Sequence, residues 1–218
     1  MFKLFEKILS LIYSRYCHFC HRAEEDKVLC SKCYKKIHFL PPSIIKKIKD
    51  CPVYSVAIYD GIIKTLIKDL KYHNKKYLAK TQAELMFNFW RQLNINDEYV
   101  LVPVPIHKNR KKERKYNHMD IVADEIANLT GFEVNKNLII RVKDTQKQFK
   151  LHRQERIRNI KNAFEINPNE IVDKSKKLLV VDDITSTGIT LEEIIRVLKD
   201  AGFNDITALT LATPDIWN

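Results

Sequence analysis

Residues 178–190, LLVVDDITSTGIT, restrict the fold more than any other segment of the chain. Four apolar residues without polar alternation describe a strand buried on both faces, which requires a sheet covered by helices on both sides. The strand runs into two adjacent acids, Asp182 and Asp183. A loop of small hydroxyl residues around Gly188 follows, and then a helical pattern over 190–201 ending at Gly202. A loop of this kind, Ile184 to Thr190, turns backbone N–H groups and the positive end of a helix dipole toward an anion. Hydroxyls of Thr185, Ser186, Thr187 and Thr190 add donors, Ile184 and Ile189 complete the loop, and Gly188 lets the backbone come close to a phosphoryl group. Two carboxylates beside a bare phosphate would repel it, so the ligand must also carry neutral hydroxyls. A ribose phosphate meets both demands at the C-terminal edge of a sheet, where open α/β folds bind ligands.

The rest of the chain alternates strand and helix patterns. Strands are predicted at 53–59, 98–104, 138–142, 177–183 and 206–212, and helices at 61–71, 78–93 and 118–129. This order predicts an α/β fold with a parallel sheet flanked by helices. Residues 1–16 have helical spacing and read either as an amphipathic helix on the domain or as one lying at a membrane surface. No run of 18 apolar residues occurs, so no membrane-spanning helix is predicted. Residues 34–52 are basic, contain Pro41, Pro42 and Pro52, and read as a connector. The expected division is a small N-terminal module over 1–50 and a main domain over 51–218.

The strand at 98–104 ends in PVPIHKNRKKERKYNH, in which six Lys or Arg lie between 108 and 115. Taken alone, this is a solvated basic loop or an arm for nucleic acid, with Lys108, Lys111, Lys112, Arg114 and Lys115 facing phosphates and Tyr116 stacking on bases. The formal charge of +11 favours an anionic partner. A second basic stretch, QFKLHRQERIRNIKNAF (148–164), becomes helical in its spacing from Arg153.

All five cysteines fall before residue 52. Cys17-x-x-Cys20 and Cys30-x-x-Cys33 have the spacing of a tetrahedral zinc site with four thiolates, which leaves no open position and is therefore structural. His18, His21 and Cys51 are weaker alternatives as ligands.

The 178–190 string resembles the signature of type I phosphoribosyltransferases. That resemblance implies that Asp182 and Asp183 hold the ribose hydroxyls of phosphoribosyl pyrophosphate, and that residues 184–190 hold its 5′-phosphate. The VPVP string followed by Arg110 looks like a pyrophosphate loop, implying roles for Val104, Pro105 and Arg110 with Mg²⁺ on the pyrophosphate. The longer pattern through Lys115-Tyr116-Asn117-His118 resembles the ComF family of bacterial competence proteins. So do Gln148, Leu151, Arg153, Glu155, Arg156, Asn159, Ala163 and Phe164, and the four-cysteine finger at the start. In such a protein Gln148, Arg153 and Arg156 would belong to a lid over the substrate. Phe149 and Lys150 stand where the family often has Thr-Gly, and His118 stands where it has Gln. An amidophosphoribosyltransferase proper is not expected, because residue 2 is Phe2 rather than a cysteine nucleophile.

The resemblance implies a cytoplasmic protein of DNA uptake that binds phosphoribosyl pyrophosphate and single-stranded DNA, with the inner face of the cytoplasmic membrane as a further contact. Two alternatives are an active phosphoribosyltransferase acting on an unidentified acceptor, and a docking module for a competence helicase.

Overall fold

The computed structural model describes residues 16–23, 28–145 and 153–214. The chain divides into two compact units, Met1–Ile37 and His38–Asn218. Among the described residues of the first, Tyr16 bridges to Ala23 and a short helix, α1 (Ser31–Tyr34), follows Cys30. The helix expected over 1–16 otherwise lies outside the described residues.

The second unit begins earlier than the sequence division at residue 50. Residues 46–48, read from sequence as part of a connector, form strand β1 (Lys46–Ile48). It pairs antiparallel with β2 (Cys51–Ile58). Then come α2 (Gly61–Tyr72), α3 (Leu78–Gln92), β3 (Val100–Pro103), α4 (Lys108–Arg114), α5 (His118–Thr130) and β4 (Glu133–Val134). The chain continues through β5 (Ile139–Arg141), α6 (Arg153–Ile160), β6 (Phe164–Ile166), β7 (Leu178–Ile184), α7 (Ile189–Asp200) and β8 (Ile206–Thr213). Six strands form one sheet in the order β1-β2-β8-β7-β3-β4, in which only β1 runs antiparallel.

Burial explains this order. β7 is flanked by β3 and β8, with Val181 opposite Pro103 on one side and Leu209 on the other. Leu178 to Val181 are at most 1% exposed. Each such side chain contributes on the order of 2 kcal/mol through removal from water. α7 turns Leu191, Ile194, Ile195 and Leu198 inward onto Val100, Val102 and Val180. α3 and α5 pack against each other and carry their own buried stripes, including Leu85, Met86 and Phe89 on α3 and Met119, Val122 and Ile126 on α5.

Two elements depart from the sequence reading. β5 does not join the parallel sheet; it forms a separate antiparallel pair with β6. The basic stretch after β3 is a helix rather than a loop, with the His107 side chain capping its first turn through Nδ1. Among the described residues no helix is long and apolar enough to cross a membrane.

Candidate functional site

The chain leaves β3 toward β4 at the edge of the sheet, whereas it leaves β7 toward β8 on the opposite side. The strand order therefore reverses between β3 and β7, and a crevice opens above their C-terminal ends. A cavity of about 310 Å³ lies there. Asp182, Asp183, Ile184, Ser186 and Thr190 come to it from β7 and the start of α7, and Val104, Pro105, Arg110 and Arg114 from the segment after β3. Tyr59, Lys71, His118 and Arg141 complete the wall.

The two acids have different surroundings. The Asp183 side chain is only 4% exposed, and its Oδ2 receives both the Lys71 ammonium and His118 Nε2, the latter at 2.7 Å. Burial by itself would raise Asp183, but Lys71 and then His118 outweigh it and hold the carboxyl well below the usual carboxylate range. Burial likewise works against the Lys71 charge, and Asp183 followed by Asp182 overcomes it. Burial keeps His118 below the ordinary imidazole value despite Asp183.

Asp182 is half-buried, its Oδ1 accepting from the Asp183 amide at 2.9 Å. Burial first, and then the neighbouring Asp183 charge, push Asp182 up to about 7. The stability carried by its protonated form is therefore complete below the ordinary value of 3.8 and is lost as pH climbs through about 7. The Asp182→Asn variant is expected to gain on the parent as pH rises from 5 to 8, by about 5 °C in melting temperature. A difference in melting temperature that does not grow with pH would show that Asp182 ionises normally.

The loop after β7 is shaped by its backbone. Thr185 donates its amide to Ala212 across the sheet at 2.9 Å. Gly188 sits at φ +82° as the residue before α7, whose first turn has no side-chain cap. An added Cβ there would meet Lys46 Nζ at 2.2 Å and Ile48 Cδ1 at 3.1 Å. Lys46 Nζ donates to the Thr187 carbonyl at 3.0 Å. The left-handed backbone favours glycine here, and an added Cβ would have to push the end of the Lys46 side chain aside. Ser186 and Thr190 reach the cavity, while Thr185 Oγ1 is buried without a hydrogen-bond partner among the described residues.

On the other side of the crevice, Val104 donates to the Val181 carbonyl at 3.0 Å and accepts from Asn117 Nδ2 at 3.1 Å. Arg110 points from α4 to the Thr145 carbonyl. Lys108, Lys111, Lys112 and Lys115 are exposed, and the Arg114 guanidinium lies 4.9 Å from the Tyr72 ring centroid. Tyr116 is not the exposed stacking ring that the sequence suggests. It is 8% exposed, its hydroxyl donates to the Leu70 carbonyl, and Lys76 sits over the ring. Tyr72, 54% exposed, is the aromatic side chain beside this basic face. Gln148 lies outside the described residues. Arg153 and Arg156 fall on α6, as their spacing predicts, with side chains outside the description.

Lys71, His118 and Arg141 were not singled out from sequence as site residues. His118 sits in the string KYNH that carries the resemblance, Lys71 ends the helical pattern over 61–71, and Arg141 is the lone cation ending the apolar run LII. A charge at the end of a buried strand is the one local signal that could have marked Arg141.

In the first unit, one ligand atom each from Cys17, Cys20, Cys30 and Cys33 lies within 4.8 Å of the others. A single metal ion fits this cluster. Tetrahedral thiolates about 2.3 Å from zinc stand about 3.8 Å apart, and Cys20 and Cys30 approach to 3.6 Å. The backbone folds around the sulfurs as well, with the Cys33 amide directed at Cys30 Sγ at 3.4 Å. Burial above all drives the Cys33 thiol up to about 12, a value that a bound cation would reverse. His18 and His21 are not in the cluster, and Cys51 lies on β2 in the other unit.

The parallel sheet, the hydroxyl-rich loop after β7 and the basic segment after β3 define a phosphoribosyltransferase-type domain. The phosphoribosyl transferase domain family accordingly matches residues 119–215. Competence protein F of Haemophilus influenzae is 25% identical over 204 residues, spanning 90% of this chain and 89% of that protein. The DNA utilization protein YhgH of Salmonella typhimurium is 28% identical over 218 residues, spanning 96% and 91%. Competence protein ComFC of Streptococcus pneumoniae is 23% identical over 213 residues, spanning 86% and 88%. These relatives align across nearly the whole chain, so the similarity to ComF-family proteins extends from the four-cysteine finger to the last strand. Among solved structures, an allosteric regulatory enzyme of purine biosynthesis aligns at 15% identity and a TM-score of 0.44, over 66% of this chain and 29% of that one.

Proposed function

We propose that this protein binds phosphoribosyl pyrophosphate in the crevice between β3 and β7, handles single-stranded DNA on its basic face, and serves DNA uptake in the cytoplasm. The names of its relatives, competence and DNA utilization proteins, support the biological setting. One observation carries the ligand: an ionised, buried Asp183 fixed by Lys71 and His118 in a cavity that Lys68, Arg110, Arg114, Arg141 and the start of α7 also line. Asp182 and Asp183 accept hydrogen bonds from the ribose hydroxyls. The amides and hydroxyls of 184–190 hold the 5′-phosphate, and Arg110 faces the pyrophosphate. Mg²⁺ bound with this ligand would neutralise pyrophosphate charge. Zinc on the four cysteines would be structural.

Phosphoribosyl pyrophosphate with Mg²⁺ is expected to raise the melting temperature of the protein, because a ligand specific for the folded state stabilises it by mass action. A screen in which phosphoribosyl pyrophosphate and ribose 5-phosphate leave the melting temperature unmoved at millimolar concentration would end this assignment.

The DNA reading rests on the exposed lysines of α4. Replacing Lys108 and Lys112 together by Ala is expected to weaken binding to single strands of every sequence. The slope of log affinity against log salt should fall by about one to two. An unchanged slope in fluorescence anisotropy would remove α4 from the DNA surface.

One observation favours turnover as a second reading. Asp182 lines the cavity and changes charge near neutral pH, so it is placed to accept a proton from an incoming nucleophile. Release of pyrophosphate in the presence of an acceptor would establish it.

A further inference from the structure

A second cavity, of about 300 Å³, opens where the end of α2 meets the end of α4. Tyr72, the last residue of α2, and Arg114, the last of α4, line it together with Asn74, Glu113 and Lys115. Contacts outside the cavity set its wall in place. His73 Nδ1 and Lys75 Nζ, on either side of Asn74, donate to the two oxygens of Asp69 at 2.6 and 2.9 Å. Asn74 itself takes the left-handed conformation at φ +54°, which asparagine tolerates. Tyr116, also in the wall, is anchored on the Leu70 carbonyl. The Tyr72 ring nevertheless stays 54% exposed, with the Arg114 guanidinium over it.

The chemistry of this wall differs from that of the crevice. Glu113 is the one acid of α4 and stands between Lys112 and Arg114. Its carboxylate makes no ion pair or hydrogen bond among the described residues. A carboxylate in the wall repels a phosphate. An exposed ring backed by a guanidinium offers a stacking surface. A flat, uncharged ligand that carries N–H donors suits both features, and a nucleobase with an exocyclic amino group is such a ligand. The exposed lysines of α4 stand nearby to hold the phosphates on either side of it.

We propose that this cavity takes one base of a single DNA strand, stacked on Tyr72 and Arg114 and read at its amino group by Glu113. This deepens the DNA reading above and rests on it only for the phosphates, which lie on the lysines of α4. Cytosine, whose N4 amino group donates to a carboxylate, is accepted over thymine, which presents a carbonyl there.

The test is fluorescence anisotropy of the full chain with labelled oligo-dC, oligo-dT and a strand of equal length without bases, over a range of salt. The parent is expected to bind oligo-dC about three- to tenfold more tightly than oligo-dT, and the base-free strand about tenfold more weakly than oligo-dT. Tyr72→Ala should weaken both oligonucleotides about tenfold without changing the slope of log affinity against log salt, and Tyr72→Phe should bind like the parent. Glu113→Ala should erase the preference for dC, and Glu113→Gln, which keeps an acceptor, should retain part of it. A carboxylate that acts only through its charge predicts otherwise: both substitutions would tighten dC and dT alike and leave their ratio unchanged. Equal affinity of the parent for dC and dT, or Tyr72→Ala binding both strands as the parent does, would overturn the site and leave the lysines of α4 as the DNA surface. If no strand binds the parent, calorimetry with millimolar deoxycytidine decides. Binding that Tyr72→Ala abolishes keeps the base site and discards the strand, whereas no binding discards both.

Discussion

Asp183→Asn is expected to lower the melting temperature by about 10 °C and to weaken phosphoribosyl pyrophosphate binding by about a hundredfold or more. The reason lies in the pair at the cavity floor. Lys71 is 18% exposed and Asp183 4% exposed, so neither charge has enough water to stand alone. Removing one partner of such a pair costs about 3–5 kcal/mol, because the other charge stays buried without compensation. The amide also loses the charge-assisted bond from His118 Nε2. Combining Lys71→Met with Asp183→Asn is expected to recover much of the stability and none of the binding. That split separates the two roles of Asp183, holding the fold and presenting a carboxylate to the ligand. If the single variant melts like the parent, the buried pair does not exist in solution. If the double variant binds like the parent, the acid does not touch the ribose. Metal content should be the same in all of these variants, since the cysteines belong to the other compact unit.

What the sequence made legible follows from how locally each feature is encoded. β7 and α7 were readable because burial on both faces leaves an unbroken apolar run, and because hydroxyl residues followed by Gly188 mark a helix start. The cysteine pairs were readable because ligand spacing is fixed by the metal, not by the rest of the fold. The partners of Asp183 were not, since they lie 65 residues away for His118 and on a different helix for Lys71. No periodicity in the sequence reports that three elements meet above one strand end. α4 was hidden for a related reason. Its residues are nearly all charged, so no apolar stripe announces the helix; its start is set by the His107 cap and its end by Lys115 at φ +66°. Tyr116 was misread because an aromatic among lysines looks exposed, whereas its hydroxyl is committed to the Leu70 carbonyl. β5 had strand composition, but composition does not say which sheet a strand joins.

Removing metal from the four-cysteine cluster is expected to unfold residues 16–37 while the sheet domain keeps its own melting transition. Among the described residues of the first unit, the buried apolar side chains are Cys17, Cys30, Cys33 and Ile37. Three of these four are sulfurs of the cluster. Tyr16 and Tyr34, which could have formed a core, are 54% and 41% exposed. Four thiols packed within 4.8 Å have no reason to stay together as thiols, and as thiolates they repel unless a cation sits among them. A bound metal would therefore supply folding free energy on the order of 10 kcal/mol to this segment. The sheet domain does not depend on it for a core, since its cluster around Val180, Ile194 and Phe203 contains no residue before Ile48. Chelation, or Cys30→Ser, should make amides between Cys17 and Ile37 exchange hydrogen at the rate of an open chain. Exchange should stay slow at Leu179 and Val180. Native mass spectrometry of the untreated protein should show one bound zinc, lost on the same treatment. Slow exchange that persists in the first unit after the metal is gone would mean that something other than the cluster holds it, and the cysteines would then have to be read as redox or catalytic groups.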